Sequence, residues 1–161
     1  MKVLFFSNKE AREINQTLRE KWAKFGVPDV NPVKKVQVDG NKWIVLGDFK
    51  LVLDGSIIAP FIGDQRLCNY FPSVIVDMGA LKFITNGASI MRPGIKSFPH
   101  SFDQGDVVIV KDEKFGKTIA VTVATIGKDE AERLNKGVIL KNLSYVGDKF
   151  WNAYKQMTPS L

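Results

Sequence analysis

Residues Val76 to Ile95 read VDMGALKFITNGASIMRPGI. Asp77 stands where an aspartate caps a helix N-terminus, because its carboxylate accepts from the first unpaired backbone N–H groups. The helix that follows is expected to run two to three turns and to end near Asn86-Gly87. A glycine there takes the left-handed turn that other residues resist. Ile90-Met91 then begins a strand, and Arg92-Pro93-Gly94 forms a corner. Such a density of backbone constraints fits a small β barrel with a helix set into its wall.

Upstream, Ser7 and Glu10 have capping-box spacing. Ala11, Ile14, Leu18, Trp22 and Phe25 recur at three- and four-residue intervals, which predicts one apolar stripe on a helix. Gly26 and Pro28 end it. Asp39-Gly40, Gly47-Asp48 and Asp54-Gly55 follow, each a dipeptide suited to a tight hairpin with positive φ. Between them lie Val36–Val38, Trp43–Leu46, Phe49–Leu53 and Ser56–Ala59, predicting a meander of four antiparallel strands. The helix must bury its stripe, and the meander's apolar face is the surface at hand. Pro60 to Pro72 is the exit from this unit.

Downstream, Val74–Val76, Asp106–Lys111, Thr118–Ala124 and Val138–Leu140 read as strands and Asp129–Asn135 as a short helix. Strands this dense with Gly and Pro corners suggest closure into a small barrel. The fold class is therefore α+β, with a helix-on-meander domain over residues 1–72 and a pseudo-barrel over residues 73–155. Residues 156–161 are expected to fray.

Composition narrows the function classes. The chain has 161 residues, 45% hydrophobic and 25% charged, which is ordinary globular make-up. Lys2 precedes an apolar patch of only four residues, too short for a signal-peptide core, and no apolar run is long enough to span a bilayer. The lone Cys68 excludes an internal disulfide and fits a reducing compartment, so a cytoplasmic location is expected. The net charge of +6 is spread evenly along the chain, which is compatible with a phosphate-rich partner.

Catalytic constellations are scarce. His100 is the only histidine, so neither a His pair nor a Cys-His metal cluster is available within the chain, and no metal or other cofactor is expected. Cys68 reads as a small buried hydrophobe, Asp77 as a helix cap, and Asp112, Glu113 and Lys114 as a solvated charge run. No GxxxxGK[ST] or GxGxxG phosphate motif occurs. A binding protein rather than an enzyme is expected. Trp43, Phe150, Trp151 and Tyr154 could stack on bases, although aromatics of this kind more often serve the core; Trp22 belongs to the core.

Around Gly87, small residues leave backbone N–H groups uncovered, so a bulky ligand can approach. Lys82 precedes the turn, and Arg92 and Lys96 follow it. Together they can surround a nucleotide backbone with cations. Physics alone reads the same residues equally well as a barrel corner whose glycines serve geometry only.

VDMGALKFITNGASIMRPGI resembles the signature of the PUA domain, the pseudo-barrel named for pseudouridine synthases and archaeosine transglycosylases. The likeness continues through GDVVIV at Gly105–Val110, GKTIAVTVA at Gly116–Ala124 and LNKGVILKNLSYVGD at Leu134–Asp148. It implies binding of structured RNA by the helix and the glycine loop after it. The positions carried over are Lys82, Asn86, Gly87, Ala88, Ser89, Met91 and Arg92, with Lys96 added from its proximity.

The short first half, PVKKV at Pro32–Val36, LCNYFPSVIVDMGALKF at Leu67–Phe83 and NKGVILKNLSYVGDKFW at Asn135–Trp151 resemble the malignant T-cell-amplified sequence family. In that family a pre-PUA domain precedes the PUA domain. The resemblance implies a translation-associated protein acting at the small ribosomal subunit or on tRNA, near the acceptor end of initiator tRNA. The family's eukaryotic members work with a density-regulated-protein partner. Two alternatives stay open: an RNA-binding guide subunit of an RNA-modification enzyme, and a protein-interaction adaptor that binds no RNA.

Overall fold

The computed structural model describes residues 2–157. It opens with a strand that the sequence does not announce. β1 (Val3–Phe5) has all three residues exposed, so it lacks the in-out alternation that marks a half-buried strand. It pairs antiparallel with β2 (Lys34–Asp39), followed by β3 (Lys42–Leu46), β4 (Leu51–Asp54) and β5 (Ile57–Pro60). The four expected meander strands are present as β2 to β5, and β1 extends their sheet to five strands in sequential order.

α1 (Asn8–Trp22) starts on the expected capping box, with reciprocal bonds of 3.1 Å between Ser7 and Glu10. Leu18 and Trp22 pack with Ile44, Val45 and Leu51 of the sheet. Asn15 is also buried, a polar residue inside the interface. Its Oδ1 accepts from Val30 N at 2.9 Å and from Asn31 N at 3.3 Å, which ties the helix to the loop before β2. Gly47 departs from expectation. It has no positive φ; a Cβ there would lie 2.5 Å from Asn31 O and 2.7 Å from Val30 O. Close backbone approach, not turn geometry, calls for glycine at this position.

The segment expected as a plain exit holds a one-turn helix, α2 (Gln65–Cys68), capped by Asp64. Cys68 is buried within it, and burial pushes its thiol up to about 12. A thiol so placed is not an accessible nucleophile near neutral pH.

The second sheet contains β6 (Ser73–Val76), β7 (Ile90–Met91), β8 (Ile95–Ser97), β9 (Val107–Asp112), β10 (Thr118–Ala124) and β11 (Val138–Tyr145). Their order is β7-β11-β10-β9-β6-β8, a nearly closed pseudo-barrel in which only β6 and β9 run parallel. α3 (Leu81–Ile84), α4 (Lys128–Arg133) and α5 (Lys149–Met157) complete the described chain.

β9 explains how the halves meet. Val107, Val108, Ile109 and Val110 are all buried. Val108 and Val110 point into the barrel, while Val107 and Ile109 join the cluster beneath α1 and the meander. A strand covered on both faces reads as a continuous apolar run. α5 adds a second connection. Phe150 is buried in the same cluster as Leu18, and the Tyr154 ring packs at a tilt against Phe61, with centroids 4.8 Å apart. Phe150 is therefore core, and Trp151 and Tyr154 pack partly buried beside it. Of the tail expected to fray, Gln156 and Met157 close α5, and residues 158–161 lie outside the described residues. Among the described residues no helix is long and apolar enough to cross a membrane.

Candidate nucleic-acid interface

Asp77 caps as expected, its Oδ1 accepting from Ala80 N at 2.9 Å. The helix it starts is shorter than expected: a 3-10 turn over Met78–Ala80 and then the single turn of α3. The C-terminal end closes as a Schellman motif. Ala88 N donates to Phe83 O at 3.0 Å and Gly87 N to Ile84 O at 3.0 Å, with Gly87 at φ 93. From β11, the side-chain amide of Asn142 donates to both Ile84 O and Ala88 O at 3.0 Å. The glycine loop is thereby held at a fixed height above the barrel wall.

The opposite wall is the corner between β7 and β8. Asp77 N donates to Gly94 O at 3.0 Å, joining the corner to the helix start. A Cβ on Gly94 would lie 3.3 Å from Ala80 Cβ, so the two walls meet closely there. Between them runs a groove of about 410 Å³ lined mainly by apolar atoms, with Ala80, Phe83, Ala88, Ser89, Met91 and Pro93 along its sides.

The eight positions expected from sequence separate into groups. Ala88, Ser89 and Met91 line the groove. Asn86 and Gly87 build the loop beside it, Asn86 through a side-chain bond of 2.8 Å to Lys82 O. Lys82 and Lys96 are exposed, with no ion pair to either among the described residues. Arg92 is half-buried and carries structural bonds: Nε donates to Ala131 O at 3.0 Å and Nη1 to Ile95 O at 3.2 Å. Its guanidinium also lies 5.0 Å from the centre of the Phe98 ring. Arg92 thus ties the corner to α4.

Sequence reasoning missed Phe83. Phe83 lines the groove and is 59% exposed, and the Lys82 ammonium lies 5.1 Å from its ring centre. The available signal was its position beside Ile84, which is buried. Neighbouring residues on one short helix do not face the core together. Gly79, Ala80 and Pro93 also line the groove without having been anticipated.

Of the catalytic candidates, Asp77 lines the groove but serves as the helix cap, and His100 sits apart from it. His100 is exposed, and its Nδ1 accepts from Ser73 N at 3.1 Å. Among the described residues no group of three or more His, Cys, Asp or Glu side chains is placed to hold a metal ion.

The PUA domain family matches residues 72–146, which span the barrel and the whole groove. An uncharacterized protein of Methanocaldococcus jannaschii is 35% identical over 92% of this chain and 94% of its own length. Malignant T-cell-amplified sequence 1-A of Xenopus laevis is 30% identical over 83% of this chain and 77% of its own. Translation machinery-associated protein 20 of Schizosaccharomyces pombe is 27% identical over 78% and 74% respectively. A conserved PUA domain protein from Thermoplasma acidophilum superposes with a TM-score of 0.69 and 25% identity, covering 95% of this chain and 99% of that one. With its barrel, its capped helix and its glycine loop in place, the chain carries a PUA domain and belongs to the malignant T-cell-amplified sequence family.

Proposed function

We propose that this protein binds structured RNA in translation, on tRNA or at the small ribosomal subunit, and takes an unpaired stretch of that RNA into the groove beside α3. The observation that carries the reading is the pairing of an apolar groove with an exposed aromatic on its wall and the Lys82 ammonium beside that ring. Bases stack on aromatic faces without regard to sequence, and lysines attract the phosphates between them. The rigid Schellman loop positions the contact without closing it off. Membership of the family and the translation-related name of one relative support the setting.

The same proposal divides the chain into a pre-PUA unit over 1–72 and a PUA unit over 73–155, with no catalytic role and a cytoplasmic location. The first unit offers a place for a translation-factor protein partner of the density-regulated-protein kind. Phe5 is 72% exposed and Val33 56% exposed, and they are brought together where Phe6 N donates to Val33 O at 2.9 Å. Exposed apolar residues at a sheet edge suit a protein surface better than a phosphate backbone.

Two substitutions test the groove. Phe83→Ala is expected to weaken binding of an RNA hairpin with a 3′ single strand by about 1–3 kcal/mol, the worth of one stacked base. Lys82→Ala should lower the salt dependence of binding by about one phosphate contact. Arg92 is not the variant of choice, because losing its bonds to Ala131 and Ile95 would disturb the corner itself. Unchanged affinity and salt slope in both variants would contradict the groove as the RNA site.

A further inference from the structure

The turn between β9 and β10 is absorbed by neither the core nor the groove. Asp112, Glu113 and Lys114, expected as a solvated charge run, belong to an organised projection over residues 112–117 built around a buried carboxylate. Asp112 is 3% exposed. Its Oδ1 accepts from Lys114 N at 2.9 Å and from Phe115 N, and its Oδ2 accepts from Lys117 N at 3.0 Å. One side chain therefore gathers three of the tip's backbone donors.

That order presents a solvent-facing aromatic. Phe115 is 65% exposed, with the Lys114 ammonium 5.2 Å and the Lys117 ammonium 5.8 Å from its ring centre. Neither lysine forms an ion pair among the described residues. Glu113 is the only other acid in the tip, because Asp112 is committed to the turn. An exposed aromatic between two unpaired cations matches a base flanked by its phosphates.

Its position relates it to the groove. β6 and β9 are parallel, with Val76 opposite Asp112, so both strands end on the same rim of the barrel. Glu113 N donates to Val76 O at 3.0 Å, which places the tip beside the start of the Asp77-Met78-Gly79 segment. Asp77 and Gly79 line the groove, and Met78 is exposed between them. The projection and the groove therefore share one rim.

We propose that the Lys114-Phe115-Lys117 tip is a second contact for single-stranded RNA, stacking on a nucleotide farther along the strand that enters the groove. This rests on the reading of the groove as an RNA site. The tip widens that site from one seated nucleotide to a short tract held at two points, with sequence-tolerant stacking at the second.

The test uses the full chain and a fluorescein-labelled RNA hairpin bearing either two or eight unpaired 3′ nucleotides. Phe115→Ala should lower affinity for the eight-nucleotide probe at least about fivefold, the low end of one base stack, and leave the two-nucleotide probe unaffected. Phe83→Ala should weaken both. Because Phe115 is exposed, its loss should leave thermal unfolding unchanged, and Phe115→Trp should show indole quenching only with the longer probe. Equal affinities of Phe115→Ala and the natural chain for the longer probe would overturn the proposal while leaving the groove intact. An equal loss on both probes would overturn the placement along the strand. A loss from Phe115→Ala with none from Phe83→Ala would overturn the groove and, with it, the tip's place along a strand seated there. No binding of either probe by the natural chain would overturn both.

Discussion

Asp112 determines the shape of the β9–β10 tip, and its titration makes that role measurable. The N–H of Phe115, and after it those of Lys117, Lys114 and Gly116, hold its carboxyl below the usual carboxylate range against the opposing effect of burial. A carboxyl lowered in the folded state adds stability above its unfolded pKa of about 3.9, and loses it as pH falls through the folded value. Asp112→Asn keeps one acceptor oxygen but turns an NH₂ toward a backbone donor. It should cost about 1–3 kcal/mol near neutral pH, the penalty of a buried donor left unpaired. Urea unfolding from pH 7 to 2 should find the gap between variant and natural chain steady down to about pH 5, then closing below about pH 4. A gap that does not vary with pH would mean the charge of Asp112 contributes nothing to the turn. From the sequence, Asp112 was indistinguishable from the solvated Glu113 beside it. What separates them is depth, and depth depends on the pairing of Val76 with Asp112, a contact between distant parts of the chain.

At the scale of elements, local signals were legible where the chain determines its own geometry. The capping box of α1, the Asp77 cap and the glycine after α3 all act within a few residues, and each stands where its spacing placed it. Elements that depend on distant partners were harder to read. β1 has no buried side chain to give it a period, and it exists because β2 offers it a ladder. Two glycines separate the two kinds of information. Gly40 sits at φ 52 with open space around it, a turn requirement visible in the Asp-Gly pair. Gly47 looks the same in sequence but is held against the carbonyls of Val30 and Asn31. Gly40→Ala should cost about 1–2 kcal/mol, the strain of a left-handed alanine. Gly47→Ala should cost more, about 3 kcal/mol or above, because two fixed backbone oxygens cannot yield as side chains do. Chemical denaturation of the two variants checks the order. The reverse ranking would mean the loop at Val30–Asn31 shifts freely.

In the whole molecule, the barrel and the meander share an apolar cluster through Val107, Ile109, Val121 and Phe150, and the groove lies within the PUA half. The α+β class and the barrel were legible because strands of the second half are dense and their corners carry Gly and Pro. The burial of Val107–Val110 on both faces was not read from the sequence, because what covers the outer face comes from the other half of the chain. The candidate site was legible in part. The glycine loop, Ala88, Ser89 and Met91 follow from the motif, whereas Phe83 and Phe115 required knowing which aromatics the core leaves out. On the proposed reading, RNA meets the protein on the rim formed by α3, its glycine loop and the neighbouring corner. The most direct measurement is ultraviolet crosslinking in cells followed by mass spectrometry of the RNA-linked peptides. Crosslinks are expected to concentrate in residues 78–96, with Phe83 and Met91 foremost and RNA that includes tRNA or small-subunit rRNA. Crosslinks confined to the meander of residues 34–60, or protein recovered without RNA, would contradict it.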